Sequence, residues 1–269
     1  MSQIDTVAEF GPAPALSPAT PQTPRGWRGL DVLLIGLLGI ALTVVGAVVV
    51  TVAVMLLGGV TPSTDAEQMT QALTSSLPFS VGILLAQALA FGGSVVAGML
   101  WRGLRPSDLG LGVPSLRWLL IGLGVALALR VAVVPLSMLL TWLGAPTDNP
   151  QLDLLAPQGT FAWLPALAML ICGGVIVPIA EELLFRGVLY NWLRSRGFWL
   201  AALVSSALFG LVHGHLTIGI IAFVLGLVCA WVYERSRSLW APIAVHIGFN
   251  VLGIGLLYLL LATGMQLPG

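Results

Sequence analysis

The chain has 269 residues, 58% of them hydrophobic and only 8% charged, and its eleven basic and eleven acidic side chains cancel to a net charge of zero. With a mean hydropathy of +1.00, it has too little polar surface for a water-soluble globule of this size, so the composition defines a polytopic membrane protein surrounded by lipid bilayer. The balanced charge offers no basic surface, and nucleic acid is not expected as a partner.

Residues 1–26 differ from the rest, with Pro12, Pro14, Pro18, Pro21 and Pro24 set among Ala, Ser and Thr. They read as a disordered cytoplasmic tail. The apolar run that follows starts too late and is too long for a signal peptide, so the first helix is expected to be retained. Runs long enough to span, or nearly so, at roughly twenty residues each, lie near 29–58, 77–101, 118–143, 161–183, 198–214, 217–233 and 239–263. The fold class is therefore all-α, a transmembrane helical bundle of about seven spans, with eight as the upper count. The organisation reads as N-terminal membrane helices over 27–150, a catalytic helical core over 151–263 and a short C-terminal tail over 264–269.

Every basic residue is arginine, which makes the positive-inside test direct. Arg25 and Arg28 precede the first run, and Arg102, Arg105 and Arg117 fall between the second and third. Arg186, Arg194 and Arg196 follow the fourth, and Arg235 and Arg237 the sixth. The connections around 59–76 and 145–160 carry only acidic charges. Seven spans with a cytoplasmic N-terminus satisfy this alternation. The nine tryptophans, from Trp27 to Trp240, fall at or near the ends of the runs, as an interfacial belt requires. Arg130 stands alone in mid-span and reads as a structural pair or a snorkelling side chain rather than a member of the site. Cys172 and Cys229 lack any metal-type spacing and read as packed thiols.

Against this apolar background, three polar clusters stand out. Glu181 and Glu182 lie within Ile179-Ala180-Glu181-Glu182-Leu183-Leu184-Phe185-Arg186. His213 closes Phe209-Gly210-Leu211-Val212-His213, and His246 opens His246-Ile247-Gly248-Phe249-Asn250. Ionisable groups at membrane depth are costly and by default mark a functional site. On a helix Glu182 and Arg186 are spaced to pair on one face, whereas Glu181 is turned about 100° away. One carboxylate is held and the other is free for chemistry. Pro178 removes a backbone donor just upstream and is expected to kink the helix beside the carboxylates. Counting residues from Trp192, Trp199 and Trp240 places Glu181, His213, His246 and Asn250 at similar depths, in the cytoplasmic half of the bilayer or near its middle.

A carboxylate in apolar surroundings is a stronger base than one in water, and with a histidine it can activate a water molecule. A second histidine with an asparagine can donate to the oxyanion that forms on a carbonyl. This inventory suits amide hydrolysis, with Glu181 as base, Glu182 and Arg186 as its scaffold, and Phe209 as packing for His213. No serine lies in the three clusters to act as a nucleophile. Two histidines and a carboxylate are also a ligand set for catalytic zinc, and Glu181, His213 and His246 could supply it. The helix-borne HExxH signature is absent. The preferred reading requires no cofactor, and the zinc reading stays open beside it. His215, in a turn two residues beyond His213, reads as a capping or solvated side chain.

The order EExxxR, FxxxH, HxxxN on successive hydrophobic segments resembles the CAAX-protease and bacteriocin-processing family of intramembrane proteases, also called the Abi family and related to type II CAAX prenyl endopeptidases. Glu181, Glu182 and Arg186 match its first motif, Phe209 and His213 its second, and His246 and Asn250 its last, over roughly residues 160–255. The resemblance implies peptide-bond hydrolysis within the membrane, on membrane-associated or lipidated proteins or peptides. It implies that Glu181 and His213 activate water and that His246 with Asn250 forms the oxyanion hole. The all-arginine, alanine- and leucine-rich composition resembles that of a bacterial protein from a GC-rich genome, so the expected location is a bacterial cytoplasmic membrane. The substrate's identity and the oligomeric state are not fixed by the sequence. Two rival readings are a proton-coupled transporter with Glu181, Glu182 and His213 as a relay, and a noncatalytic binding or immunity protein. The His246/Asn250 pair gives a relay no benefit, and the motif residues are all intact.

Overall fold

The computed structural model describes residues 26–57, 60 and 65–264. Apart from Gly26 and Gly264, the expected tails at 1–26 and 264–269 lie outside the described residues, as does Arg25. The elements are helical throughout: α1 (Gly29–Leu57), α2 (Ala66–Thr74), α3 (Leu77–Arg102), α4 (Leu116–Trp142), α5 (Gln151–Leu155), α6 (Trp163–Ile171), α7 (Val177–Glu182), α8 (Asn191–Arg194), α9 (Phe198–Leu211), α10 (Leu216–Ser236) and α11 (Trp240–Ala262). A short 3-10 turn at Pro106–Leu109 bridges α3 and α4. The architecture is a polytopic helical bundle.

Six helical stretches among the described residues are long and apolar enough to span: α1, α3, α4, the continuous run Trp163–Arg194, α10 and α11. The expected fifth span, 198–214, is shorter than its apolar run. Its helix α9 has 14 residues, about 21 Å of rise against a hydrocarbon core of about 30 Å. It stops because the chain tightens into a turn at His213 and then takes a left-handed conformation at Gly214, φ 67°. The fourth run, by contrast, is longer than its expected 161–183, because the helix continues through the charged cluster to Arg194.

α1 packs on α3, α4 on α11 and α9 on α10, while the run Trp163–Arg194 sits among α3, α9 and α11. Small residues let the first pair approach closely: a Cβ on Gly82 would meet Val50 at 2.7 Å. Close backbone contact of this kind replaces the hydrophobic drive that lipid cannot supply. The outer face of α1, including Leu30, Val44, Val48 and Leu57, is exposed, as a lipid-facing side chain row must be.

The central run changes its winding twice. Cys172–Ile176 and Leu183–Tyr190 are π-helical on either side of α7, an arrangement that recurs at functional sites. Pro178 supplies the reason for the first. In α winding its ring would face the carbonyl of Gly174 and leave it without a donor. In the π register Val177 N–H donates to Cys172 O, and the carbonyl left over is that of Gly173, whose partner five residues on is Pro178 itself. The side chain amide of Asn250 donates to that carbonyl at 3.1 Å. In the second π segment, the Gly187 carbonyl accepts from Trp27 Nε1 at 2.8 Å and Asn191 Nδ2 at 3.1 Å. Pro178 is thus accompanied by a register change, which leaves a carbonyl for a neighbouring helix to bind.

Candidate active site

The glutamate pair lies on α7, between the π segments, and both side chains are buried. Glu182 Oε1 accepts from Arg186 Nη1 at 3.0 Å, and both side chains are completely buried. Arg186 also donates through Nη2 to Gly226 O at 2.8 Å and lies over the Phe209 ring, 5.0 Å from its centroid. Gly226 is glycine for a steric reason: a Cβ there would sit 2.9 Å from Ser206 and 3.0 Å from the Arg186 guanidinium. Arg186 thus does not belong with the charges beyond the fourth span. It lies inside the bundle, because an ion pair one helical turn long makes the charge tolerable where the helix continues.

His246 on α11 joins the two glutamates. Its Nδ1 lies 2.9 Å from Glu182 Oε1, and its Nε2 lies 3.6 Å from Glu181 Oε2. Glu182, paired with a guanidinium, is an acceptor, so Nδ1 carries the hydrogen and donates. The Nε2 of His246 is turned toward Glu181. The separation of 3.6 Å is too long for a direct hydrogen bond. The other oxygen of Glu181 is also engaged: Gln87 Nε2, on α3, donates to Oε1 at 2.9 Å.

His213 lies just beyond the end of α9 yet keeps its helical phase, with Nδ1 2.7 Å from Phe209 O. A carbonyl can only accept, so Nδ1 carries the hydrogen here as well. The rings of His213 and His246 both stand edge-on to Phe209, at centroid distances of 5.0 and 5.5 Å. The Phe209 ring thus packs on both histidines and under Arg186. Both histidines, Arg186 and Glu182 lie within electrostatic reach of Glu181.

The structure therefore brings Glu181, Glu182, Arg186, Phe209 and His246 into one buried cluster, with His213 half-buried at its edge. The histidine against the glutamates is His246, whereas His213 makes its hydrogen bond to its own helix. Asn250, one turn from His246, commits one N–H to the Gly173 carbonyl and retains the other. Among the described residues, no group of three or more His, Cys, Asp or Glu side chains is close enough to hold a metal ion. The Glu181, His213 and His246 set read as possible zinc ligands is not among such groups. His215 makes no capping hydrogen bond; its Nε2 approaches Asp148 at 3.4 Å. Cys172 and Cys229 are free and buried, as packed thiols are. Arg130 stacks over the Phe249 ring at 3.7 Å and donates to the Phe249 carbonyl, tying α4 to α11 next to Asn250. It neither snorkels nor pairs with a carboxylate among the described ion pairs.

Sequence reasoning missed Gln87. The signal was available, since a carboxamide in the middle of an apolar span is as much an exception as a charge. No spacing connected it to the three clusters, because its partner lies 94 residues away.

The all-helical bundle and a buried glutamate, histidine and arginine cluster are features of a membrane-embedded enzyme core, and residues 162–252 match the family described as Type II CAAX prenyl endopeptidase Rce1-like. The match falls on the segment that carries the three motifs, in agreement with the resemblance read from them. The chain is 28% identical over 137 residues to the Bacillus subtilis protein named "Putative membrane peptidase YdiL", covering 51% of this chain and 54% of that one. It is 33% identical over 91 residues to the UPF0177 protein YxdF of Lactococcus lactis, covering 34% and 50%. It is 36% identical over 87 residues to an uncharacterized 24.3 kDa protein of Escherichia coli, covering 30% and 40%. The chain thus spans about half the length, or less, of these curated relatives. No solved structure matches it.

Proposed function

We propose that this protein is an intramembrane endopeptidase that hydrolyses peptide bonds of membrane-associated or lipidated proteins or peptides, using Glu181 as general base. The observation that carries the reading is the approach of Glu181 Oε2 to His246 Nε2 across 3.6 Å inside a buried cluster. A water held between them would lose its proton to the carboxylate as its oxygen attacks the scissile carbonyl. The proton would then pass to the leaving amine. Glu182 holds His246 through Nδ1 and fixes its orientation. The remaining N–H of Asn250 is the donor available to the oxyanion, because His213 commits its Nδ1–H to the Phe209 carbonyl. The reading requires no metal, so chelators are expected to leave turnover unchanged. The chamber lies between the run Trp163–Arg194 and α9 to α11. The arginine distribution supports a cytoplasmic N-terminus, and the all-arginine, alanine- and leucine-rich composition supports a bacterial cytoplasmic membrane.

The test is a comparison of peptide termini in membranes from cells expressing wild type or Glu181→Gln at equal levels. Termini that depend on Glu181 establish proteolysis and identify the substrate together. Equal termini, with candidate substrates present, would move the assignment to transport or binding.

A further inference from the structure

Gln87 is the one polar side chain that α3 sends into the cluster. The helix contains two buried serines, but Ser80 and Ser94 both turn back to local carbonyls, those of Thr74 and Phe91. Gln87 instead reaches across to α7 and donates to Glu181 Oε1 at 2.9 Å. The contact is supported by close packing: Phe91, one turn on, meets Phe185 edge to face at a centroid distance of 6.4 Å, and a Cβ on Gly92 would touch Ala180. α3 also lies outside residues 162–252, the segment that matches the Rce1-like family.

We infer that Gln87 is a positioning residue for the general base: it pins one carboxylate oxygen of Glu181 so that the other faces His246. This inference rests on the peptidase reading. A carboxylate on a flexible two-methylene stem has several rotamers, and only one aims Oε2 at the imidazole. A donor fixed on a neighbouring helix selects it. The N-terminal helices then complete the site rather than only anchoring it. A geometric requirement of this kind acts on the chemical step and leaves substrate binding alone.

The test uses the full-length protein with a substrate found by the terminus comparison. Gln87→Met keeps length and bulk while removing the donor, and Gln87→Glu keeps the shape while replacing the donor by an acceptor. Both are expected to lower kcat by about 10–100-fold with KM within about twofold, on the scale of a misplaced catalytic group. In a Glu181→Gln background, Gln87→Met should cause no further loss, because the two residues act as one unit. An infrared carboxyl band assigned by its disappearance in Glu181→Gln should shift in Gln87→Met, which altered packing alone would not produce. Wild-type kcat in Gln87→Met overturns the role of Gln87, whatever the band does, as does a loss of activity that merely follows the folded fraction. If wild type shows no Glu181-dependent cleavage, the peptidase reading falls and takes this inference with it. Glu181-dependent cleavage with a normal Gln87→Met leaves that reading intact and removes only the positioning role.

Discussion

Two ionic clusters tie the central run Trp163–Arg194 to its neighbours, and they are built differently. Near its C-terminal end, Glu234 on α10 accepts from Tyr190 Oη at 2.8 Å, from Arg194 Nε and Nη2 at 2.7 and 2.6 Å, and from Arg237 Nη2 at 3.1 Å. Asn191 donates to the Tyr233 hydroxyl, which donates in turn to Leu109 O. Both oxygens of that carboxylate are taken, and the geometry is that of a staple between helices. In the buried cluster, Arg186 Nε has no hydrogen-bond partner, and Glu181 faces His246 across a gap rather than through a bond. The first cluster spends its donors and acceptors on the fold. The second keeps a carboxylate oxygen and an imidazole nitrogen without a hydrogen bond in the interior, which is what chemistry requires and what stability alone would not select.

The sharpest way to break this contrast is Glu181→Gln. Turnover is expected to fall on the order of 1000-fold, about 4 kcal/mol on the barrier, with thermal unfolding in detergent unchanged. Normal turnover would show that the unspent carboxylate is not the base. Arg186→Ala should act on stability instead, by about 3–5 kcal/mol, because it leaves Glu182 buried without its counter-charge. The readout is folded yield and melting temperature, and a well-folded variant would contradict the scaffold role. Asn250→Ala removes the donor from Gly173 and one candidate oxyanion donor, so a loss of about 1–2 kcal/mol in stability should accompany a larger loss of turnover. At the staple, Glu234→Gln is expected to lower stability by about 1–2 kcal/mol with kcat per folded molecule unchanged; a catalytic defect would erase the distinction between the clusters. Arg237→Ala should do least, within the noise of a melting curve, since its side chain is 73% exposed and such pairs contribute little.

The motif residues of the site were legible because polar groups are rare in an apolar chain, and their helical phase predicted the Glu182–Arg186 pair. The phase of FxxxH also survived at His213, even though the helix ends before it. What could not be read was which histidine meets which carboxylate. His213 and His246 have equal claims by type and depth, and only the packing of α11 against α7 places His246 on both glutamates. Gln87 is the same case at longer range, as is Asn250, whose carbonyl partner exists only because Pro178 moves the winding into the π register.

By itself the sequence determined that this is a multi-span helical membrane protein, which polar groups are costly enough to need a purpose, and which of them share a helical turn. Those are properties of composition and of 3.6-residue periodicity, both local. The tertiary structure alone decided the burial of Arg186, the bridging place of His246 and the reach of Gln87. Each depends on a contact between helices distant in sequence, and in a bundle the rotation and depth of one helix against another are set by packing that no single segment encodes.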